Sequence, residues 1–254
     1  MHLYHRSYGS GNPLIILHGL LGSSDNWQIM AKEFGSLRQT YTIDARNHGR
    51  SPHSNEFSYR IMAEDVRGFM DIFKLPSAVI LGHSMGGKTA MKFALTYPDR
   101  VEKLVVVDIA PKGYGMVNDP ILEALASLNL LAYREREEVD ADLAKKIPDA
   151  AIRQFLMKNL QRDDNRRFVW KVNLDVIRKN YAFIDAAIEA ATTFDKPTLF
   201  MRGALSQYIM PQDEPGIKKL FPNATITTIG GASHWIHSEA PGEFALTLMN
   251  FLMK

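Results

Sequence analysis

An α/β fold with a mainly parallel central sheet flanked by helices, and with a helical cap inserted into it, is what this sequence predicts. Three observations carry that expectation. Short apolar runs alternate with amphipathic helical stretches, which is the pattern of repeated βα units around a doubly covered sheet. The alternation stops near Pro111 and resumes only after Thr193, with helical patterning between. The 254 residues suffice for one large domain that buries a sizeable core.

The expected strands are Leu14 to Leu17, Thr40 to Ile43, Ala78 to Leu81, Leu104 to Val107, Thr198 to Met201 and Thr225 to Ile229. Between them, Trp27, Met30, Ala31 and Phe34 mark the stripe of one helix, and Met62, Val66, Phe69 and Phe73 that of another. Pro241 opens the last helix, whose stripe is Phe244, Leu248 and Phe251. The expected domain division is a core of residues 1–110 and 194–254 with a cap of residues 111–193. Within the cap the pattern gives helices over Pro120 to Leu131, Glu135 to Lys146, Ala150 to Leu160 and Leu174 to Ala191, and no strand. Asp142 and Lys146 form an i,i+4 pair on a solvated helix face, while Phe168, Trp170 and Tyr181 read as cap core.

Gly82-His-Ser-Met-Gly-Gly-Lys-Thr89 fits two unrelated chemistries. As G-x-x-x-x-G-K-T it is a phosphate-binding loop, with Lys88 and Thr89 reaching phosphate and magnesium and Asp108 as a magnesium partner. As G-x-S-x-G it is a nucleophile elbow, in which Ser84 stands on a sharp strand-to-helix turn. The rest of the chain arbitrates. Upstream, Ile15-Ile-Leu-His-Gly-Leu-Leu-Gly22 ends a strand in His-Gly, so the next N–H, that of Leu20, can meet a developing oxyanion beside the N–H of Met85. Downstream, Gly230-Gly-Ala-Ser-His-Trp235 puts His234 in a small-residue loop after the last strand. The chain order Ser84, Asp108, His234 then reads nucleophile, acid, base.

Over nearly its whole length the sequence resembles the α/β-hydrolase superfamily, and most closely the YbfF-type esterases. The residues that carry the resemblance are His18-Gly-Leu-Leu-Gly-Ser-Ser-Asp-Asn-Trp27, Asp44-Ala-Arg-Asn-His-Gly-Arg-Ser51, Gly82-His-Ser-Met-Gly-Gly-Lys88, Val107-Asp-Ile-Ala-Pro111 and Gly231-Ala-Ser-His-Trp235. The resemblance implies a carboxylesterase or acyl-thioesterase with a serine nucleophile and no cofactor or metal. It also implies that His18, with Gly19, shapes the oxyanion loop. The same scaffold hosts lyases, C–C hydrolases and perhydrolases, and a non-catalytic receptor is the reading furthest from an enzyme.

Ser84 needs small neighbours at Gly82 and Gly86, because strand and helix pass close beside it. His237 rivals His234 as base but lacks the glycine-rich loop; His83 reads as packing, and His48 with Arg46 and Asn47 as a turn brace. The acid departs from the commonest superfamily pattern: Gly203-Ala-Leu-Ser206 has serine where aspartate is usual, so Asp108 takes that role by resemblance, ahead of Asp195 and Asp213. With 30 Lys+Arg against 28 Asp+Glu, the net charge of +2 gives no reason to expect nucleic acid or an anionic membrane as partner. Cysteine is absent, which removes disulfides, thiolate metal sites and a thiol nucleophile. No apolar run approaches the roughly 20 residues of a membrane span, and a cytoplasmic location with a small-molecule ester or thioester substrate is the expectation.

Overall fold

The computed structural model describes residues 1–115 and 119–254; residues 116–118, inside the expected insertion, lie outside the description. In chain order the elements are β1 (His5–Tyr8), β2 (Pro13–Leu17), α1 (Gln28–Phe34), β3 (Gln39–Ile43), α2 (Tyr59–Ile72), β4 (Ala78–His83), α3 (Met85–Thr96) and β5 (Val101–Val107). Between β5 and the next sheet strand come α4 (Pro120–Ala126), α5 (Arg136–Ala144), α6 (Ala150–Met157), β6 (Leu160–Arg162), β7 (Phe168–Trp170), α7 (Leu174–Lys179) and α8 (Tyr181–Asp185). The chain closes with β8 (Thr198–Gly203), α9 (Glu214–Leu220), β9 (Ala224–Ile229), α10 (Ile236–Glu239) and α11 (Pro241–Met253).

Seven strands form one sheet in the order β1-β3-β2-β4-β5-β8-β9, all parallel except β1, which runs antiparallel to β3. Alternation along each strand divides the core in two, as a period of two requires. Leu14, Ile16, Val79, Leu81, Val105 and Val107 pack with Trp27, Met30 and Phe34 of the α1 region and Phe244 and Leu248 of α11. Ile15, Ile80, Leu104 and Val106 face the other way, toward Met62, Val66 and Phe69 of α2. That second core continues into Leu122, Val139, Leu156 and Ile177, so the segment between β5 and β8 packs on this side rather than standing apart.

Three local expectations fail. The segment between β5 and β8 contains a strand pair, β6 with β7, where only helices were expected. Its turn is held by Asp163, whose carboxylate accepts from the N–H groups of Asn165 and Arg167 while Arg166 takes the left-handed φ of 60°. With one buried residue in β6 there was no alternation to read. The stretch expected as one helix to Ala191 is two short helices that end at Asp185, broken at Asn180, whose side chain donates back to the Val176 carbonyl. Lys146 does not pair with Asp142; Lys145 does, at 2.5 Å.

Candidate active site

Register delivers the site to one edge of the sheet. His83 pairs with Val107 and Val107 with Met201, and the ladder runs one residue further: Ser84 N–H donates to Val107 O at 3.0 Å and Asp108 N–H to Met201 O at 2.8 Å. Ser84 and Asp108 therefore leave adjacent strands side by side, at the carboxyl ends where open α/β sheets hold ligands.

Both residues sit in strained backbone. Ser84 has φ 52° and ψ −118°, and Asp108 has φ 50°; such conformations cost on the order of 1–3 kcal/mol each and persist only where the surroundings impose them. Around Ser84 the imposition is steric. A Cβ on Gly82 would lie 2.1 Å from Gly86 O, and one on Gly86 would lie 2.3 Å from Leu17 O. The side chains a phosphate would need in the Gly82–Thr89 loop are engaged elsewhere. Thr89 Oγ1 donates to Met85 O at 3.0 Å, and Lys88 points away to carbonyls of α8 and its cap.

Asp108 is fully buried and its carboxylate accepts three donors. Oδ1 takes the Gly203 N–H at 3.1 Å; Oδ2 takes the Ser206 hydroxyl and His234 Nδ1–H, the latter at 2.8 Å. With Nδ1 donating, Nε2 of His234 is left as the acceptor, the tautomer a general base needs. The imidazole is stacked on Tyr208, ring centroids 4.0 Å apart, and its main-chain carbonyl accepts from His83 Nε2 at 2.9 Å. His83 thus anchors the His234 loop, a role beyond the packing expected of it.

The Gly19 loop lies opposite. Gly22 N–H donates to Gly19 O at 3.0 Å, closing a tight turn with Leu20 and Leu21 at its tip and Leu21 at φ 59°. His18 fixes this turn as a neutral ring: Nδ1–H donates to Gly19 O at 2.8 Å and Nε2 accepts Ala45 N–H at 2.9 Å. Burial holds its pKa below the ordinary histidine value. Met85 opens α3, so its N–H has no intrahelical partner. Leu20, Ser84, Met85 and His234 all line one cavity of about 730 Å³, whose walls include Ile121, Ile152, Phe155 and Tyr181 from the segment between β5 and β8.

The rival residues are engaged in other contacts. His237 is buried and stacked on Trp27 at 4.1 Å, its pKa driven down to about 3 by burial and then by His234. Asp213 is engaged by Lys112 at 2.8 Å and accepts Met210 N–H, while the Asp195 carbonyl is tied to Asn223. Arg46 grips Asp65 through two bonds of 2.5 and 2.8 Å, and Asn47 O accepts Asn173 N–H at 2.9 Å, so the brace expected there extends to the residues before α7. Tyr208 escaped the sequence reading altogether, because nothing in its neighbourhood marks a ring that will stack on a histidine 26 residues away.

A seven-stranded sheet with Ser84 on a strained strand-to-helix turn defines the class as an α/β hydrolase. The family model for the alpha/beta hydrolase fold matches residues 12–241, and the chain belongs to that family. It is 39% identical to the sn-1-specific diacylglycerol lipase ABHD11 of Mus musculus over 94% of this chain and 80% of that protein. It is 31% identical to esterase YbfF of Escherichia coli over 96% of this chain and 94% of that one. Among solved structures, a marine microorganism esterase superposes with a TM-score of 0.96 at 44% identity, covering 98% of both chains. Among the described residues, no helix is long and apolar enough to cross a membrane.

Proposed function

We propose that the chain is a serine hydrolase that cleaves carboxylic esters through an acyl-enzyme on Ser84. Asp108 Oδ2 facing His234 Nδ1 at 2.8 Å, on the cavity that Ser84 lines, is the observation that carries this reading. His234 takes the Ser84 proton as Oγ attacks the ester carbonyl, and returns it to the departing alcohol. The N–H groups of Leu20 and Met85 stabilise the tetrahedral oxyanion. Water, deprotonated by the same imidazole, then attacks the acyl carbonyl, releasing the carboxylic acid and restoring Ser84. Asp108 orients His234 and offsets the charge of the imidazolium.

Residues 111–193 act as a cap over the site, because their side chains Ile121, Ile152 and Phe155 form cavity wall above the sheet edge. A cavity of about 730 Å³ suits a small to medium acyl group with its leaving group. The lipase and esterase names of the relatives support ester bonds as the target. Acyl thioesters follow the same chemistry with a better leaving group and belong in the same screen.

The test is fluorophosphonate labelling followed by a rate series on p-nitrophenyl esters of graded acyl length and on acyl thioesters. Stoichiometric label on Ser84 with ester turnover is expected. Label elsewhere, or turnover that survives Ser84→Ala, would remove the nucleophile from Ser84.

A further inference from the structure

Lys88 is a lysine with 1% of its surface exposed, inside the cavity that holds Ser84. It lies one helical turn beyond Ser84, whose carbonyl accepts Lys88 N–H at 3.0 Å, and both residues line the same cavity. The rise of a turn separates their Cα atoms by about 6 Å, and helical side chains lean back toward the N-terminus. The ammonium is thereby held beside the volume that an acyl chain on Ser84 would fill.

Its donors are incompletely matched. An ammonium carries three N–H bonds, and two meet carbonyl oxygens, Asp185 O at 3.0 Å and Ala186 O at 2.8 Å. What remains nearby are the faces of Tyr114 and Tyr59, their centroids 5.0 and 5.8 Å from Nζ, weaker partners than an oxygen. Neither phenol oxygen accepts from Nζ: Tyr59 OH is turned to Ile184 O at 2.6 Å, and Tyr114 OH bridges Ala110 N–H and Tyr208 O at 2.9 and 2.7 Å. Burial draws the Lys88 pKa down to about 8, partly offset by Asp185, in keeping with a cation still short of compensation.

Building on the acyl-enzyme reading above, we propose that Lys88 is a specificity-determining residue whose third N–H hydrogen-bonds a neutral oxygen on the acyl chain. The substrate class is esters of oxo- or hydroxy-substituted acids. A neutral oxygen is favoured over a carboxylate by the charges around it. Asp119, Asp149, Asp185 and Glu239 line the cavity against Lys88 and Lys158, so a further negative charge meets net repulsion.

The experiment compares p-nitrophenyl levulinate, an oxo-substituted pentanoate, with p-nitrophenyl pentanoate on the full chain. Each kcat/KM is divided by the ester's own rate with hydroxide. The expected preference for levulinate is about tenfold, the scale of a hydrogen bond to a charged group, and Lys88→Met should reduce it to within about twofold. A wild-type ratio near unity overturns the proposal, as does a ratio that Lys88→Met leaves unchanged while both rates fall, which would assign Lys88 to holding α8 alone. A succinate monoester that outpaces levulinate would overturn the choice of a neutral oxygen. Should Lys88→Met fail to fold, calorimetric binding of levulinamide against pentanamide to the wild-type protein decides the matter, with equal affinities counting against. Fluorophosphonate labelling is read first: its absence removes the hydrolase reading, whereas the amide pair still tests Lys88 by itself.

Discussion

Ser206 and His234 meet on a single atom, Oδ2 of Asp108. The serine occupies the position where the superfamily usually carries its acid, and its hydroxyl now steadies a carboxylate supplied from the neighbouring strand. If Asp108 orients His234, Asp108→Asn presents an amide that favours the wrong imidazole tautomer. We expect kcat to fall by on the order of 10² to 10⁴ with the fold retained, in line with the serine-protease precedent. Asp213→Asn and Asp195→Asn should change kcat by less than about threefold, since Asp213 is paired with Lys112 and Asp195 precedes β8, at the end of the sheet away from Ser84. Ser206→Ala should fall between, roughly three- to tenfold, because Gly203 N–H still holds Oδ1. Steady-state rates on one ester settle the ranking; a crippled Asp213→Asn beside a near-normal Asp108→Asn would refute the assignment.

The Gly19 turn offers a separate handle on the proposed oxyanion site. A Cβ on Gly19 would approach His83 Nδ1 to 2.9 Å and Ser84 Cβ to 3.3 Å. Gly19→Ala therefore pushes the Leu20 N–H away from the nucleophile without striking main chain. We expect kcat to drop by about 10²-fold or more, the loss typical of one oxyanion donor, with KM and thermal unfolding moving little. Gly82→Ala differs, since its Cβ would strike Gly86 O at 2.1 Å. That variant should fail to accumulate as folded protein, and normal expression of it would contradict the packing described.

Much of this was legible in the sequence because it rests on local patterning. The central strands β2, β4, β5 and β8 are largely apolar runs buried on both faces, and Gly82, Ser84 and Gly86 form a motif set by steric demand within a few residues. Three-dimensional convergence was not legible. β1 pairs at the sheet edge with burial too mixed to signal a strand, and β6 and β7 bury too few residues to alternate. Ser206 and Tyr208 owe their place near the site to chain segments far away in sequence. Lys88 shows the limit best: its residue type suggested a phosphate, whereas its surroundings, carbonyls from Asp185 and Ala186, come from 97 and 98 residues downstream.

The wall contributed by α6 predicts how acyl length is read. Ile152 and Phe155 of α6 face the cavity, and Phe155 lies 6.1 Å from the Trp235 ring next to His234. Phe155→Ala should shift the preferred p-nitrophenyl ester toward longer acyl chains, and Ile152→Trp toward shorter ones. Each buried methylene gained or lost is worth about 0.8 kcal/mol, close to fourfold in kcat/KM per carbon. An unchanged chain-length ranking in both variants would place the acyl chain elsewhere in the cavity.

Acid should weaken the fold through buried histidines. Burial holds the pKa values of His48 and His237 down to about 3, with His18 adding to the first and His234 to the second. A folded-state pKa below the ordinary 6.5 means that the unfolded chain binds the proton first, so the stabilisation is present above about pH 6.5 and drains away as pH falls toward 3. Each such histidine contributes roughly 1.4 kcal/mol per pH unit in that window. His237→Phe isolates one of them, since it keeps a ring against Trp27 and removes Nδ1, a buried nitrogen with no partner among the described residues. Between about pH 8 and pH 5, urea unfolding should show the wild type losing about 2 kcal/mol more than His237→Phe. Carboxylates titrate alike in both proteins and cancel from the difference. Parallel losses in the two would mean that His237 accepts a proton inside the folded protein, and its stacking on Trp27 would then have to tolerate an imidazolium.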